Sequence, residues 1–259
     1  MQQDERARFD RALYRARVSA YAPGEFVGQE SFMRASEIRA LALAAGVGPE
    51  VSVLDLCCGV AGPGRFIARE LGCGYLGVDA SPDAVRIARR RARDLRCRFE
   101  VGRIPPVPPG PFDVVLVLET LLAFREKEPL VAEISRALAP GGHFAFTLEE
   151  GMPLTEAERS VMPAADTVWF TTLEEMMGYL ERAGLQVRRQ DDVSESHRAV
   201  AEALTETFAD DAAAIARQIG DDALDDLLVA HRLWSRWLRA GRIRKLAVVA
   251  QKPAALDRE

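Results

Sequence analysis

From Val51 onward, short apolar runs alternate with stretches in which apolar residues recur at helical spacing. That alternation predicts β–α–β units and a mostly parallel sheet. Val51–Leu56, Tyr75–Val78, Cys97–Val101, Phe112–Leu118 and His143–Leu148 read as the first five strands. A nearly continuous apolar run, as at Val51–Leu56, is what a strand covered on both faces requires. Leu185–Gln190 is a more polar run suited to a sheet margin, and Arg242–Ala250 reads as the last strand. Between the strands, Ser81-Pro82-Asp83 opens a helix: the hydroxyl caps it, the proline fits its first turn, and the acid meets the positive end of its dipole. Thr172 and Glu175 form a capping box for a helix that Gly184 ends. A helix over Lys127–Leu138 stops at Pro140-Gly141-Gly142. The proline-rich stretch from Pro105 to Pro111 is a loop.

Three segments fall outside this series. The first 46 residues are amphipathic and helical, interrupted at Tyr21-Ala22-Pro23-Gly24-Glu25. Residues 150–170 form an excursion, and residues 195–240 are helical with a break near Gly220-Asp221. They are material for covering a site. The predicted organisation is a single domain, with a helical lid over 1–46, a cofactor-binding core over 47–150, substrate-side loops and helices over 151–240, and a last strand and tail over 241–259.

Composition narrows the classes. A chain of 259 residues with 48% hydrophobic and 28% charged residues has an ordinary globular balance. Its formal net charge of -5 gives no support for a nucleic-acid binder. The arginines from Arg86 to Arg98 fall mostly on the polar side of a helix and read as a solvated face. Cys57, Cys58, Cys73 and Cys97 show no CxxC spacing, so neither a zinc site nor a disulfide framework is expected. The paired acids Asp210-Asp211, Asp221-Asp222 and Asp225-Asp226 lack the alternation of a calcium loop. No metal is expected. The charged N-terminus is unlike a signal peptide, and no apolar stretch is long enough to span a membrane, so a cytoplasmic protein is expected.

The chemistry concentrates in Asp55-Leu56-Cys57-Cys58-Gly59-Val60-Ala61-Gly62-Pro63-Gly64, between the first strand and its helix. In an open α/β sheet the ligand binds beyond the carboxyl ends of the strands, where small residues let the backbone approach it. The second strand then ends in Asp79, a carboxylate able to accept from both hydroxyls of a ribose. The glycines Gly59, Gly62 and Gly64 do not give the dinucleotide G-x-G-x-x-G order, which argues against a nicotinamide-dependent oxidoreductase.

These residues resemble the class I S-adenosylmethionine-dependent methyltransferases. Asp55, Cys57, Gly59 and Ala61 hold the places of an acid and three alternating small residues, with Cys57 and Ala61 where glycines are usual. The resemblance continues through Asp79, Phe112-Asp113-Val114-Val115 and Leu138-Ala139-Pro140-Gly141-Gly142, and covers about residues 15–252. Gly62-Pro63-Gly64-Arg65-Phe66-Ile67-Ala68 is similar to the small-molecule subset that includes sarcosine/dimethylglycine, macrolide-sugar and tocopherol methyltransferases. The resemblance implies a Rossmann-like, seven-stranded, mostly parallel sheet with helices on both faces and a helical lid. It implies S-adenosyl-L-methionine as cofactor and a small-molecule acceptor, a metabolite or natural product methylated on an amine, a hydroxyl or an activated carbon. A homodimer is the assembly considered. The alternative is a protein that keeps the cofactor but catalyses another reaction, such as a cyclisation.

The resemblance also assigns residues. Asp55, Cys57, Gly59 and Ala61 would meet the methionine part, Asp79 the ribose and Ala80 the adenine. Arg103 stands where an acid often meets the adenine amino group and cannot accept a hydrogen bond, which leaves the backbone near Ile104. The Leu118 carbonyl would face the cofactor's amino group, with Tyr21 and Gln29 closing over it. Glu119 and His231 are the candidate catalytic residues. Glu119, Glu149, Trp169, His231 and Trp234 are the candidate acceptor contacts. The ordinary alternatives are a surface carboxylate for Glu119, a solvated acid for Glu149 and core packing for His231 and the tryptophans.

Overall fold

The computed structural model describes residues 12–254. The first eleven residues of the expected lid and the last five of the tail lie outside the described residues. Residues 12–20 are helical (α1) and lead through an irregular strap to α2 (Ala35–Ala44). The strand–helix series follows as β1 (Ser52–Leu56), α3 (Gly62–Leu71), β2 (Gly74–Asp79), α4 (Pro82–Arg91), β3 (Cys97–Val101), β4 (Phe112–Val117), α5 (Lys127–Ala137) and β5 (Leu138–Glu150). After α6 (Glu156–Val161) come α7 (Leu173–Arg182), β6 (Gln186–Asp192), α8 (Ser194–Asp210), α9 (Ala212–Ile219), α10 (Asp221–Arg239) and β7 (Arg244–Gln251).

The seven strands form one sheet in the order β3-β2-β1-β4-β5-β7-β6. β1 to β5 pair in parallel, and β7 runs antiparallel to both β5 and β6. The order reverses between β1 and β4, which makes that gap the switch point where a crevice opens. Side chains alternate through the sheet, as strand periodicity demands. Val53, Tyr75 and Phe99 pack with α2, α3 and α4, whereas Leu54, Leu56, Val115 and Phe146 pack with α5 and α7.

A third apolar cluster draws the remaining segments together. Leu13 and Ala16 of α1, Tyr21 and Phe32 of the strap, Leu154 and Phe170 of the excursion, and Leu204, Phe208 and Trp237 of α8 and α10 share it. On α8 the buried residues His197, Val200, Ala201, Leu204 and Phe208 keep one helical stripe. The predicted capping box at Thr172 and Glu175 is present, and Ser81 caps α4 by accepting from Ala84. β5 differs from expectation. It begins at Leu138 and runs through Pro140-Gly141-Gly142, with Gly141 at φ 79°, so the stop signal ends α5 without delaying the strand. Among the described residues, no helix is long and apolar enough to cross a membrane.

Candidate functional site

The turn after β1 folds through three alternating left-handed residues: Cys57 at φ 62°, Gly59 at 55° and Ala61 at 57°. The alternation of small residues therefore has a backbone cause. Each of these positions favours glycine, and Cys57 and Ala61 adopt the conformation against a steric cost of about 1–2 kcal/mol each. Asp79 braces the turn: one carboxylate oxygen accepts from Gly59 N and the other from Ser81 N, both at 2.8 Å. Each oxygen keeps a further lone pair, so the carboxylate can also receive the hydroxyls of a bound ribose. Ala80 is exposed beside it.

Asp55 is buried and accepts from the Tyr75 hydroxyl at 2.5 Å. Burial pushes its carboxyl up to about 7; the Tyr75 hydrogen bond works against this shift and the nearby Asp79 charge adds to it. Gly62 and Gly64 serve close approaches. A Cβ on Gly62 would stand 2.2 Å from the Gly28 carbonyl oxygen of the strap, and one on Gly64 would stand 2.0 Å from the Tyr75 hydroxyl. The strap is thus laid directly on the turn.

Gln29 and Tyr21 have structural work in the strap. Gln29 is buried, accepts from Val27 N and donates to the carbonyls of Glu25 and Met33. Tyr21 donates its hydroxyl to the Ser31 carbonyl. Both shape the segment that covers the turn, and their polar groups are engaged within it. Leu118 follows β4 and packs toward α3, while Ile104 packs on the α5 side.

Beyond the ends of β4 and β5 lies a cavity of about 180 Å³. The strap lines it with Phe32, the strand ends with Glu119 and Glu149, α10 with His231 and Trp234, and β7 with Lys245. Antiparallel β7 starts at this edge, where its register sets Glu149 opposite Lys245. The Lys245 ammonium donates to Glu119 at 2.7 Å and to Glu149 at 2.5 Å, and all three side chains are buried. Burial pushes Lys245 down, but the two carboxylates outweigh it and hold the ammonium charged. Burial raises Glu119, yet Lys245 and His197 outweigh it and keep that carboxyl low. For Glu149, burial and the Glu119 charge prevail over Lys245 and push its carboxyl up.

Behind the cavity, His197 is fully buried, its Nε2 3.4 Å from Glu37 and its Nδ1 3.8 Å from Glu119. Burial raises the Glu37 carboxyl, but hydrogen bonds from His197, Ser196 and Arg34 outweigh it and hold it at about 2.

The cavity brings together Glu119, Glu149, His231 and Trp234 of the expected acceptor contacts. His231 Nδ1 lies 2.8 Å from the Leu227 carbonyl, so the proton is on Nδ1 and Nε2 is an acceptor. Burial pushes its ring down to about 4, so the imidazole is neutral at ordinary pH. Trp169 requires correction. It does not line the cavity; its indole lies between the guanidiniums of Arg125 and Arg159 and donates to the Asp166 carbonyl. The ordinary alternative of a solvated Glu149 does not hold, because its pairing with Lys245 carries it into the interior. Sequence reading missed Lys245 and Glu37. The available signal was the acidic pair Glu149-Glu150 ending one strand and the basic pair Arg244-Lys245 beginning another.

A family model described as a methyltransferase domain matches residues 53–142, from β1 to the start of β5. These residues are similar to a methyltransferase domain. Methyltransferase GfsG of Streptomyces halstedii is 28% identical over 167 residues, which is 60% of this chain and 60% of that protein. The chain therefore spans less than two thirds of that relative. Phosphoethanolamine N-methyltransferase 2 of Haemonchus contortus, solved with S-adenosyl-L-methionine, superposes with a TM-score of 0.76 at 20% identity, covering 96% of this chain and 60% of that one. The cyclase SpnF superposes with a TM-score of 0.73 at 23% identity over 96% of this chain and 94% of its own. The two superpositions show that the fold is shared with these structures. The turn offers half-buried left-handed backbone at Gly59 and a carboxylate at Asp79 with acceptor capacity left.

Proposed function

We propose that the protein transfers the methyl group of S-adenosylmethionine to a small molecule held in the cavity between the strand ends and the helical cover. The observation that supports this best is the position of the cavity. Glu119 ends β4, the strand beside β1 at the switch point, so the acceptor cavity and the cofactor turn share one edge of the sheet. Asp79 would hold the ribose hydroxyls, the turn from Cys57 to Ala61 the methionine part, and Ala80 and the backbone at Ile104 the adenine. The cofactor supplies an electrophilic methyl group on a sulfonium.

The chain's own contribution is alignment and the exclusion of water. The strap, the excursion after β5 and α8 to α10 close the cavity with one apolar cluster. Phe32 and Trp234 wall it, and Glu119, Glu149 and the neutral His231 offer acceptors to a nucleophile that arrives protonated. The test is incubation with a metabolite extract and methyl-labelled cofactor, read by mass spectrometry. A labelled product heavier by one methylene supports methyl transfer. An unlabelled rearranged product supports a cyclisation instead.

A further inference from the structure

The cavity face carries more negative than positive charge. Arg17 and Glu30 form a pair at its rim, 2.8 Å apart. Inside, the single ammonium of Lys245 is shared by Glu119 and Glu149. Behind the wall, Glu37 is already answered by Arg34, Ser196 and His197. Lys245 is thus divided between two carboxylates, while His197 Nδ1 stands 3.8 Å from the second oxygen of Glu119. One oxygen of Glu149 and one of Glu119 have no hydrogen-bond partner. A buried, unanswered carboxylate charge is costly, so it is met by a proton or by a cation. The same cavity presents the rings of Phe32 and Trp234, and ring faces attract cations. Lys245 demonstrates the chemistry, with its ammonium 5.6 Å from the Phe32 ring centre and 5.5 Å from that of Trp234.

We propose that the acceptor is a protonated amine, its ammonium seated against Glu149 beside Phe32 and Trp234. This rests on the methyl-transfer reading and specifies its substrate class. An ammonium brings a second positive charge to the two carboxylates and donates to the unpartnered Glu149 oxygen. It is not yet a nucleophile, because its nitrogen lone pair is bound to a proton. Glu149, whose carboxyl is raised by burial, receives that proton. The freed lone pair then forms the N–C bond while the carbon–sulfur bond breaks, its electron pair staying on sulfur. The products are a methylammonium and a neutral thioether, and the proton on Glu149 is released to solvent.

The test separates the two readings. A melting shift with S-adenosylhomocysteine first reports cofactor binding on its own. Calorimetry on that complex then compares phenethylamine with phenethyl alcohol and phenylacetate, which share the ring and differ in the head group. The amine is expected to bind about tenfold tighter than either. Glu149→Gln should erase that margin while keeping the melting shift, and Trp234→Leu, which leaves the buried charges in place, should reduce it. Equal or tighter binding of the alcohol or the carboxylate overturns the proposal. So does an amine that gives no heat, or a margin that survives in both variants. If S-adenosylhomocysteine produces no shift, the cofactor reading fails, and the amine margin is still read on the protein alone.

Discussion

The Tyr75 hydroxyl donates to Asp55 across 2.5 Å, and it reaches that point because Gly64, on the neighbouring helix, has no side chain. The added methyl of Gly64→Ala would fall 2.0 Å from the hydroxyl and 2.2 Å from the ring carbon that bears it. The ring is buried between β1, β3 and α3 and has no room to retreat. Overpacking of this kind costs about 1–3 kcal/mol. Gly64→Ala should therefore lower the melting temperature and weaken S-adenosylhomocysteine binding, because Asp55 opens the cofactor turn. Thermal melts and calorimetry check both; an unchanged affinity would show that the Tyr75–Asp55 contact is uncoupled from the turn.

Asp55 also gives stability a pH dependence of unusual sign. Its folded carboxyl is raised to about 7, whereas an unfolded aspartate titrates near about 3.9. Between those values the folded chain binds the extra proton, so this group's contribution falls as pH rises from about 4 to about 7 and is flat above. Asp55→Asn should remove that slope. Tyr75→Phe should move its upper end higher, since the hydroxyl is what restrains the carboxyl. Denaturant titrations across this pH range measure both.

How far the sequence could be read follows from the range of the interactions involved. Strands and caps rest on neighbours a few residues apart, and the Thr172–Glu175 box or the apolar run of β1 carries its own instruction. The turn after β1 was readable for the same reason, and its small residues Cys57 and Ala61 take left-handed backbone. The acceptor wall was not. Glu149 and Lys245 are 96 residues apart and meet only because β7 enters antiparallel beside β5. Trp169 misled because an aromatic residue in an excursion reads alike whether it faces a cavity or two surface guanidiniums.

The Lys245 contacts predict a severe, pH-dependent lesion. Lys245→Met leaves Glu119 and Glu149 buried side by side without their shared cation. Breaking one partner out of a buried ion pair costs about 3–5 kcal/mol. The loss should be greatest at neutral and alkaline pH, where both carboxylates must ionise. It should shrink as pH falls, because in the variant both folded carboxyls lie above their unfolded values and a proton replaces the missing ammonium. Denaturation at pH 5 and pH 8 decides this. A loss of equal size at both would mean that the lysine's alkyl packing, and not its charge, stabilises the wall.

Glu37 predicts the opposite sign. Its folded carboxyl is held at about 2, below the unfolded glutamate value of about 4.3. It therefore contributes stability above about pH 4, lost as pH falls toward 2 and worth about 2 kcal/mol after allowing for partial exposure. Glu37→Gln should be less stable than the parent at pH 6, and the difference should shrink to about a quarter of its size by pH 2.5, measured by urea titration.

The strap supplies the last prediction. Its backbone at Gly28 lies against Gly62 so closely that a methyl group on Gly62 would stand 2.2 Å from the Gly28 oxygen and 2.8 Å from Gln29 N. Both obstacles are backbone atoms, and the strap is fixed from within by Gln29, so no side-chain rotation relieves the clash. In Gly62→Ala the strap must lift from the turn as a unit. Lifting it uncovers the cofactor turn and, through Phe32, one wall of the acceptor cavity. Limited proteolysis reads this directly. In the parent protein, cleavage between Tyr21 and Gln29 should slow when S-adenosylhomocysteine is added, because ligand beneath the strap favours the closed arrangement. In Gly62→Ala, cleavage there should be faster without ligand and should respond weakly to it, while cleavage elsewhere in the chain keeps its parent rate. If the parent is cut equally fast with and without ligand, the strap is a fixed part of the fold and does not close over the cofactor.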